Sequence, residues 1–227
     1  GSYRVWFNDP SGTYPSGYYS ETSPGNFTTL WSSATPVSVT DADVALETVN
    51  LPTGYHISGQ VTGPGGVGLT VDISVCAWGE TGGDCTEART ATDGTYSLTV
   101  VPGSYRVNFN DWSGTYPDGF YAAGSPGNFT VVASSATEVT VTSADVALLA
   151  VNLPTGYHIS GQVTGPDGTT PAANISVSAC TDVGGCAGTW TGSDGTYRLV
   201  VVPGSYRVSF NDWETGTYPS GYYAETS

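Results

Sequence analysis

Short alternating runs dominate the chain. Ile57, Gly59 and Val61 alternate with Ser58, Gln60 and Thr62, and Val71, Ile73, Val75 and Ala77 alternate with Asp72, Ser74 and Cys76. A two-residue period sends one set of side chains to one face of a β-strand and the other set to the opposite face. That parity places Cys76 on the outward face. Tyr96, Leu98 and Val100 make a further strand, and Tyr105, Val107 and Phe109 another. Asp93-Gly94 sits between alternating runs, an arrangement that favours a hairpin. Val101-Pro102-Gly103-Ser104 offers Pro and Gly for the centre of a type II turn. Phe129 and Val131, then Val139 and Val141, mark strands that run on through Val146 to Leu148. Roughly seven short strands per hundred residues, with turn residues between them, predict an antiparallel β-sandwich. No segment keeps an apolar 3.6-residue period over three turns, so the expected fold class is all-β.

The same pattern returns. Gly1-Ser2-Tyr3-Arg4-Val5 recurs at Gly103–Val107 and at Gly204–Val208, and the run from Asn50 to Pro64 recurs from Asn152 to Pro166. A period near 100 residues is the size of a whole small domain, not of a solenoid unit. The expectation is therefore a tandem array of Ig-like or prealbumin-like antiparallel β-sandwich domains. Residues 1–53 form the back part of a first repeat, 54–153 a complete one and 154–227 the front part of a third. The junction Val49-Asn50-Leu51-Pro52-Thr53-Gly54 is short, and Pro52 holds Leu51 extended, so neighbouring repeats are expected at a restricted angle. Because both ends fall inside a repeat, the chain reads as a window onto a longer head-to-tail array of like copies. The alternative is exchange between molecules, with residues 24–50 of one completing the open sandwich of the next. Either arrangement gives a non-closing contact and a fibre.

Composition narrows the partners. There are 5 basic and 20 acidic residues, a net charge of -15, and every basic residue is Arg. Such a surface repels phosphate backbones and anionic lipid, which argues against nucleic acid and membrane partners. The four cysteines form two local pairs, Cys76 with Cys85 and Cys180 with Cys186, each around a Gly-rich stretch. A zinc site needs about four ligands, and neither pair has a nearby His or a second pair. Two hairpin disulfides are the expectation, and with them a secreted or cell-surface location.

Ile57-Ser58-Gly59-Gln60-Val61-Thr62-Gly63-Pro64, Thr92-Asp93-Gly94-Thr95-Tyr96 and Val101-Pro102-Gly103-Ser104-Tyr105-Arg106-Val107 resemble the carboxypeptidase regulatory-like domains. These are close in fold to the B-type repeats of collagen adhesins and to transthyretin. The resemblance covers essentially the whole repeat and implies a spacer, an adhesin stalk or an appendage of a secreted enzyme. One departure matters. The chain has no Lys, so it can form neither the Lys-to-Asn isopeptide bond of collagen-adhesin repeats nor the Lys linkage of sortase-built pili. Leu51-Pro52-Thr53-Gly54 lacks the residue that a sorting signal has between Pro and Thr, and reads as a repeat junction.

Little in the chain suggests chemistry. His56 and His158 occupy equivalent first-strand positions with outward parity, one per repeat beside a Tyr, as surface strand residues do, which argues against a Ser-His-Asp site. Asn110-Asp111 and Asn211-Asp212, with Asn8-Asp9 before them, offer oxygens for calcium, but the six to eight ligands of a full site are not visible and Asx-turns account for them. No cofactor is expected. Trp112 and Tyr116, and again Trp213 and Tyr218, could stack on sugar rings or could pack the end of the sandwich. Asn26, Asn128 and Asn174 carry glycosylation acceptor patterns, and strand parity turns Asn128 outward from Phe129. Together these features favour a non-enzymatic segment of an extracellular bacterial stalk, adhesin or filament. The alternative is an accessory module that holds surface polysaccharide for a secreted hydrolase.

The cysteines supply a direct test. Intact-mass analysis with and without reductant should show two intrachain disulfides, and free thiols in secreted material would contradict the pairing. Cys76→Ser should lower stability in denaturant unfolding by about 2–3 kcal/mol without abolishing the fold.

Overall fold

A computed structural model describes residues 1–79 and 85–224. The chain is all-β, and among the described residues the only helical elements are short 3-10 turns. Residues 1–53 hold β1 (Ser2–Tyr3), β2 (Trp6–Phe7), β3 (Gly17–Tyr19), β4 (Phe27–Thr28) and β5 (Val37–Ser38). The stretch 54–153 holds β6 (Tyr55–Thr62), β7 (Ser74–Gly79), β8 (Thr86–Arg89), β9 (Thr95–Val100) and β10 (Gly103–Asn110). It continues with β11 (Gly119–Tyr121), β12 (Phe129–Thr130), β13 (Val139–Val141), β14 (Val146–Ala147) and β15 (Val151–Asn152). Beyond it lie β16 (Tyr157–Gln162), β17 (Ser176–Cys180), β18 (Cys186–Trp190), β19 (Thr196–Val201), β20 (Arg207–Asn211) and β21 (Gly221–Tyr222).

The middle stretch is a sandwich. One sheet runs β12-β11-β10-β7-β8, with β13 also paired to β10; the other joins β9, β14 and β15 to β6. The alternation read from sequence selects the facing side chains. Ile57 and Val61 from one sheet meet Val75, Ala77, Val107 and Phe109 from the other in a single buried cluster with Leu98, Val100 and Leu153. Tyr96 fills the space above Gly59 and meets Phe109 edge to face at 6.1 Å. The third stretch repeats the pairings as β16-β19 and β18-β17-β20-β21. The first repeats the other half, as β1-β5 and β2-β3-β4.

Three expectations about connections are corrected. Asp93-Gly94 does not close a hairpin: β8 pairs with β7 whereas β9 pairs with β6, so the turn carries the chain from one sheet to the other. Gly94 has φ +80°, and a Cβ there would lie 2.0 Å from the Val61 carbonyl oxygen, so this crossing needs glycine. Gly103 is likewise not in a type II turn, because its φ is not positive and it already belongs to β10. This connection also changes sheets, and the Tyr105 hydroxyl locks it by donating to the Val101 carbonyl at 2.6 Å. Nor is the sandwich wholly antiparallel. β14 and β15 both run parallel to β6, in the registers Val146↔Ile57 and Val151↔Val61.

Both cysteine pairs are bonded, but at different positions of the hairpin. Cys180 and Cys186 are directly opposed in the ladder, with Cα atoms 4.1 Å apart. Cys76 lies opposite Glu87 and reaches diagonally to Cys85, with Cα atoms 5.7 Å apart. Cys76 does face away from Val75 and Ala77, yet it is only 3% exposed, so its outward face is a covered one. The loop 80–84 that this bond closes lies outside the described residues.

The Tyr96 hydroxyl is buried without a hydrogen-bond partner. Burying such a group costs about 1–3 kcal/mol. Tyr96→Phe should therefore raise stability by about 1 kcal/mol in denaturant unfolding, and a loss would show that the hydroxyl is bonded.

Candidate functional site

The Asn-Asp segments end β2, β10 and β20 and open the loops toward Tyr14, Tyr116 and Tyr218. Each Asp carboxylate gathers the loop around itself. Asp111 accepts the backbone N–H groups of Ser113, Thr115 and Tyr116 at 2.7–2.8 Å. Asp9 accepts those of Ser11, Thr13 and Tyr14, and Asp212 those of Thr215, Thr217 and Tyr218. These lone pairs are already committed to backbone donors, which favours the Asx-turn reading of Asp111 and Asp212 over calcium. Neighbouring Asn110 accepts from the Asn108 side chain at 3.4 Å. Among the described residues no group of three or more His, Cys, Asp or Glu is placed to hold a metal ion.

The aromatic clusters divide. Tyr116 is only 7% exposed and belongs to the core, beneath Gly63, which removes it as a sugar platform. Its counterpart Tyr218 is half-buried, near Gly165. Trp112 and Trp213 project outward, 77% and 74% exposed.

The acceptor asparagines divide as well. Asn26 and Asn128 both take left-handed φ, 54° and 52°. Their side-chain amides donate to the carbonyls of Thr48 and Ala150 at 2.9 and 2.8 Å. In the middle repeat this clips the β14–β15 segment to the loop before β12, so the Asn128 side chain that parity turns outward is engaged by the Ala150 carbonyl. Asn174 also has positive φ and is exposed.

The histidines lie where repeats meet. His56 Nδ1 is 3.3 Å from Asp145 Oδ1, the carboxylate partner that a catalytic His needs, but Nε2 faces the Gly12 carbonyl at 3.2 Å. The Gly12 carbonyl also accepts from Thr99 Oγ1 at 2.7 Å. One period later, His158 Nε2 lies 3.4 Å from the Gly114 carbonyl and 2.7 Å from Arg198 Nη2. A Cβ on Gly54 would fall 2.9 Å from the Thr13 carbonyl, and one on Gly156 would fall 2.8 Å from the Thr115 carbonyl. Both junctions thus dock the Gly-Thr-Tyr-Pro loop of one repeat against the first strand of the next. Trp190, not singled out in the sequence, borders the second junction from β18. Only the fold brings it near Trp112.

No family model matches the chain, and no curated protein matches it. Among solved structures, a Streptococcal ancillary pilin is similar over 100% of this chain and 72% of its own, at 13% identity and TM-score 0.31. The Bacillus anthracis TIE protein is similar over 92% of this chain and 35% of its own, at 11% identity and TM-score 0.33. The shaft pilin SpaA of Lactobacillus rhamnosus GG is similar over 70% and 87%, at 9% identity and TM-score 0.25. Likenesses this remote assign no function to the chain.

The loop carboxylates have a pH consequence. The Ser11 hydroxyl first, then backbone donors, hold Asp9 below the ordinary range; the Thr215 hydroxyl leads for Asp212. At Asp111 desolvation pushes upward, but the bonds from Ser113, Tyr116 and Thr115 outweigh it. Asp118 moves the other way, raised by desolvation and by the charge of Asp111. For the three depressed carboxyls, the folded pKa lies below the unfolded value of about 3.9, so their stabilisation is present above that value and lost as pH falls through the folded one. The melting temperature should be nearly flat between pH 7 and about 5 and fall below about pH 4. Asp111→Asn should be less stable at neutral pH and lose part of that acid sensitivity. With Asp118→Asn removing the opposing contribution, a melting temperature that rises on acidification would contradict the assignment.

Proposed function

We propose that the chain is a segment of an extracellular, non-enzymatic stalk or filament of the kind that carries adhesins. In it β-sandwich repeats bounded near residues 53 and 153 follow one another head to tail with other copies of the same unit. The observation that carries this reading is the parallel return of β14 and β15 onto β6. Because the closing strands run in the same direction as the opening one, the chain enters a repeat at one pole and leaves it at the other. The eight residues of β6 advance it about 26 Å, at roughly 3.3 Å per residue. Each repeat thus adds length. The docked glycines at both junctions supply a fixed angle, as a stalk requires. Both disulfides fit an oxidising exterior. The placement of His56 Nε2 against a carbonyl gives it a joint-forming role in place of a catalytic one.

Solution scattering tests the reading. The 227-residue chain should give an elongated particle. Gly156→Val would press a side chain into Val200 and the Thr115 carbonyl. It should leave the circular dichroism of the sandwiches unchanged while broadening the scattering profile toward a bent, articulated rod. A compact wild-type particle, or a variant profile identical to wild type, would overturn the rigid-stalk reading.

A further inference from the structure

The second junction encloses a cleft of about 640 Å³, within the size range of ligand sites. One wall comes from the loop after β10, with Trp112, Ser113 and Asp118; the other comes from β18 and β19, with Thr189, Trp190 and Arg198. Trp190 is 54% exposed and Trp112 more so. Neither indole is used by a hydrophobic core cluster. We propose that this inter-repeat cleft binds a neutral polysaccharide, its sugar rings stacked on Trp112 and Trp190.

Three observations carry the assignment. First, large exposed apolar faces that flank polar groups suit pyranose rings, whose C–H faces stack on aromatic π-systems while the hydroxyl rim seeks hydrogen bonds. The Asp118 carboxylate, whose Oδ1 already takes the Asp111 N–H at 2.8 Å, has its second oxygen to accept from such hydroxyls, and Thr189 and Ser113 can donate or accept. Second, both tryptophans are absent from the other junction, where Pro10 stands in place of Trp112 and Arg89 in place of Trp190. The glycine and proline contacts that dock the repeats occur at both junctions. Docking therefore does not require the indoles, and a binding role accounts for their pairing at the second of the two joints, while the Trp112 position recurs as Trp213 in the third repeat. Third, the charge selects the class of glycan. The chain carries -15, and the lining adds Asp111 and Asp118 against Arg198 alone. Arg198 also donates toward His158. Uronic-acid or sulfated chains would be repelled.

The inference does not rest on the stalk reading, since a rod and a flexible array alike could carry the cleft. Affinity electrophoresis of the full chain is the test, in gels containing a mixed-linkage β-glucan, xylan or galactomannan, with alginate as the anionic control. At least one neutral polymer should retard the protein, and alginate should not. Trp112→Ala and Trp190→Ala should each weaken retention at least tenfold. Trp31→Ala and Trp78→Ala, at exposed indoles outside the cleft, should leave it unchanged. Both cleft residues are solvent-exposed, and circular dichroism is the check that the variants fold. Retention by alginate alone, no retention by any of the three neutral polymers, or retention insensitive to both cleft substitutions would overturn the proposal.

Discussion

The direction of one pairing governs the molecule. Had β14 and β15 returned antiparallel to β6, the chain would leave each repeat beside its own entrance, and successive sandwiches would fold back on each other. The parallel registers place the exit at the far end of β6. Leu153-Pro154-Thr155-Gly156 then leads within a few residues to the next first strand, β16. Such pairing is slightly weaker per residue than antiparallel pairing, and here it carries an extra residue. Five steps from Val146 to Val151 match four from Ile57 to Val61. The strand bulges, which frees the Ala150 carbonyl, and that carbonyl is the one the Asn128 amide takes. The Pro-Gly-Asn-Phe element and the bulge thus act together, and the amide bond alone recurs as Asn26 to the Thr48 carbonyl.

Few charges are available to hold the connections, and hydrogen bonds do most of that work. Asp111 organises its loop from backbone donors. Thr90 Oγ1 accepts from the Ile73 N–H and Thr191 Oγ1 from the Ile175 N–H, both buried. Tyr105 and Tyr206 each reach back four residues to a carbonyl. Bonds of this kind use short or already packed side chains and are directional, which fixes a loop at low cost in side-chain entropy. They also explain a composition rich in Ser, Thr, Asn and Tyr, which the sequence displays without showing what it is for.

The strands and their inward faces were legible because a two-residue period survives in any sandwich. Ile57, Val61, Val75, Leu98 and Val107 are all buried as the alternation implies. Sheet membership was not legible. Asp93-Gly94 satisfies the backbone of a hairpin equally well as that of a sheet-to-sheet crossing, and only the partner of β9 decides between them. β14 and β15, at two residues each, are too short to show a period. At the candidate sites, residue type identified polar and aromatic groups without giving their direction. Tyr116 and Trp112 lie four residues apart on one loop, yet one enters the core and the other faces solvent. Trp190 lies 78 positions from Trp112 in a different repeat, and no local pattern could join them.

Comparison of one repeat with the next separates scaffold from local chemistry. Gly12 and Gly114, His56 and His158, and Pro15 and Pro117 match at the two joints, and they set how the repeats meet. Some of the differences between repeats fall on the hairpin and the loop that border the joints. Trp78 is replaced by Cys180, Arg89 by Trp190 and Pro10 by Trp112. The shift of one cysteine turns a diagonal disulfide into a directly opposed one, while Cys85 and Cys186 keep equivalent places. Exposed edge and loop positions tolerate such exchange, because the core that fixes the fold lies on the other face. A repeated scaffold can therefore vary the surface of each joint while keeping its glycine and proline contacts, so function in such an array is to be sought in the residues that break the repeat.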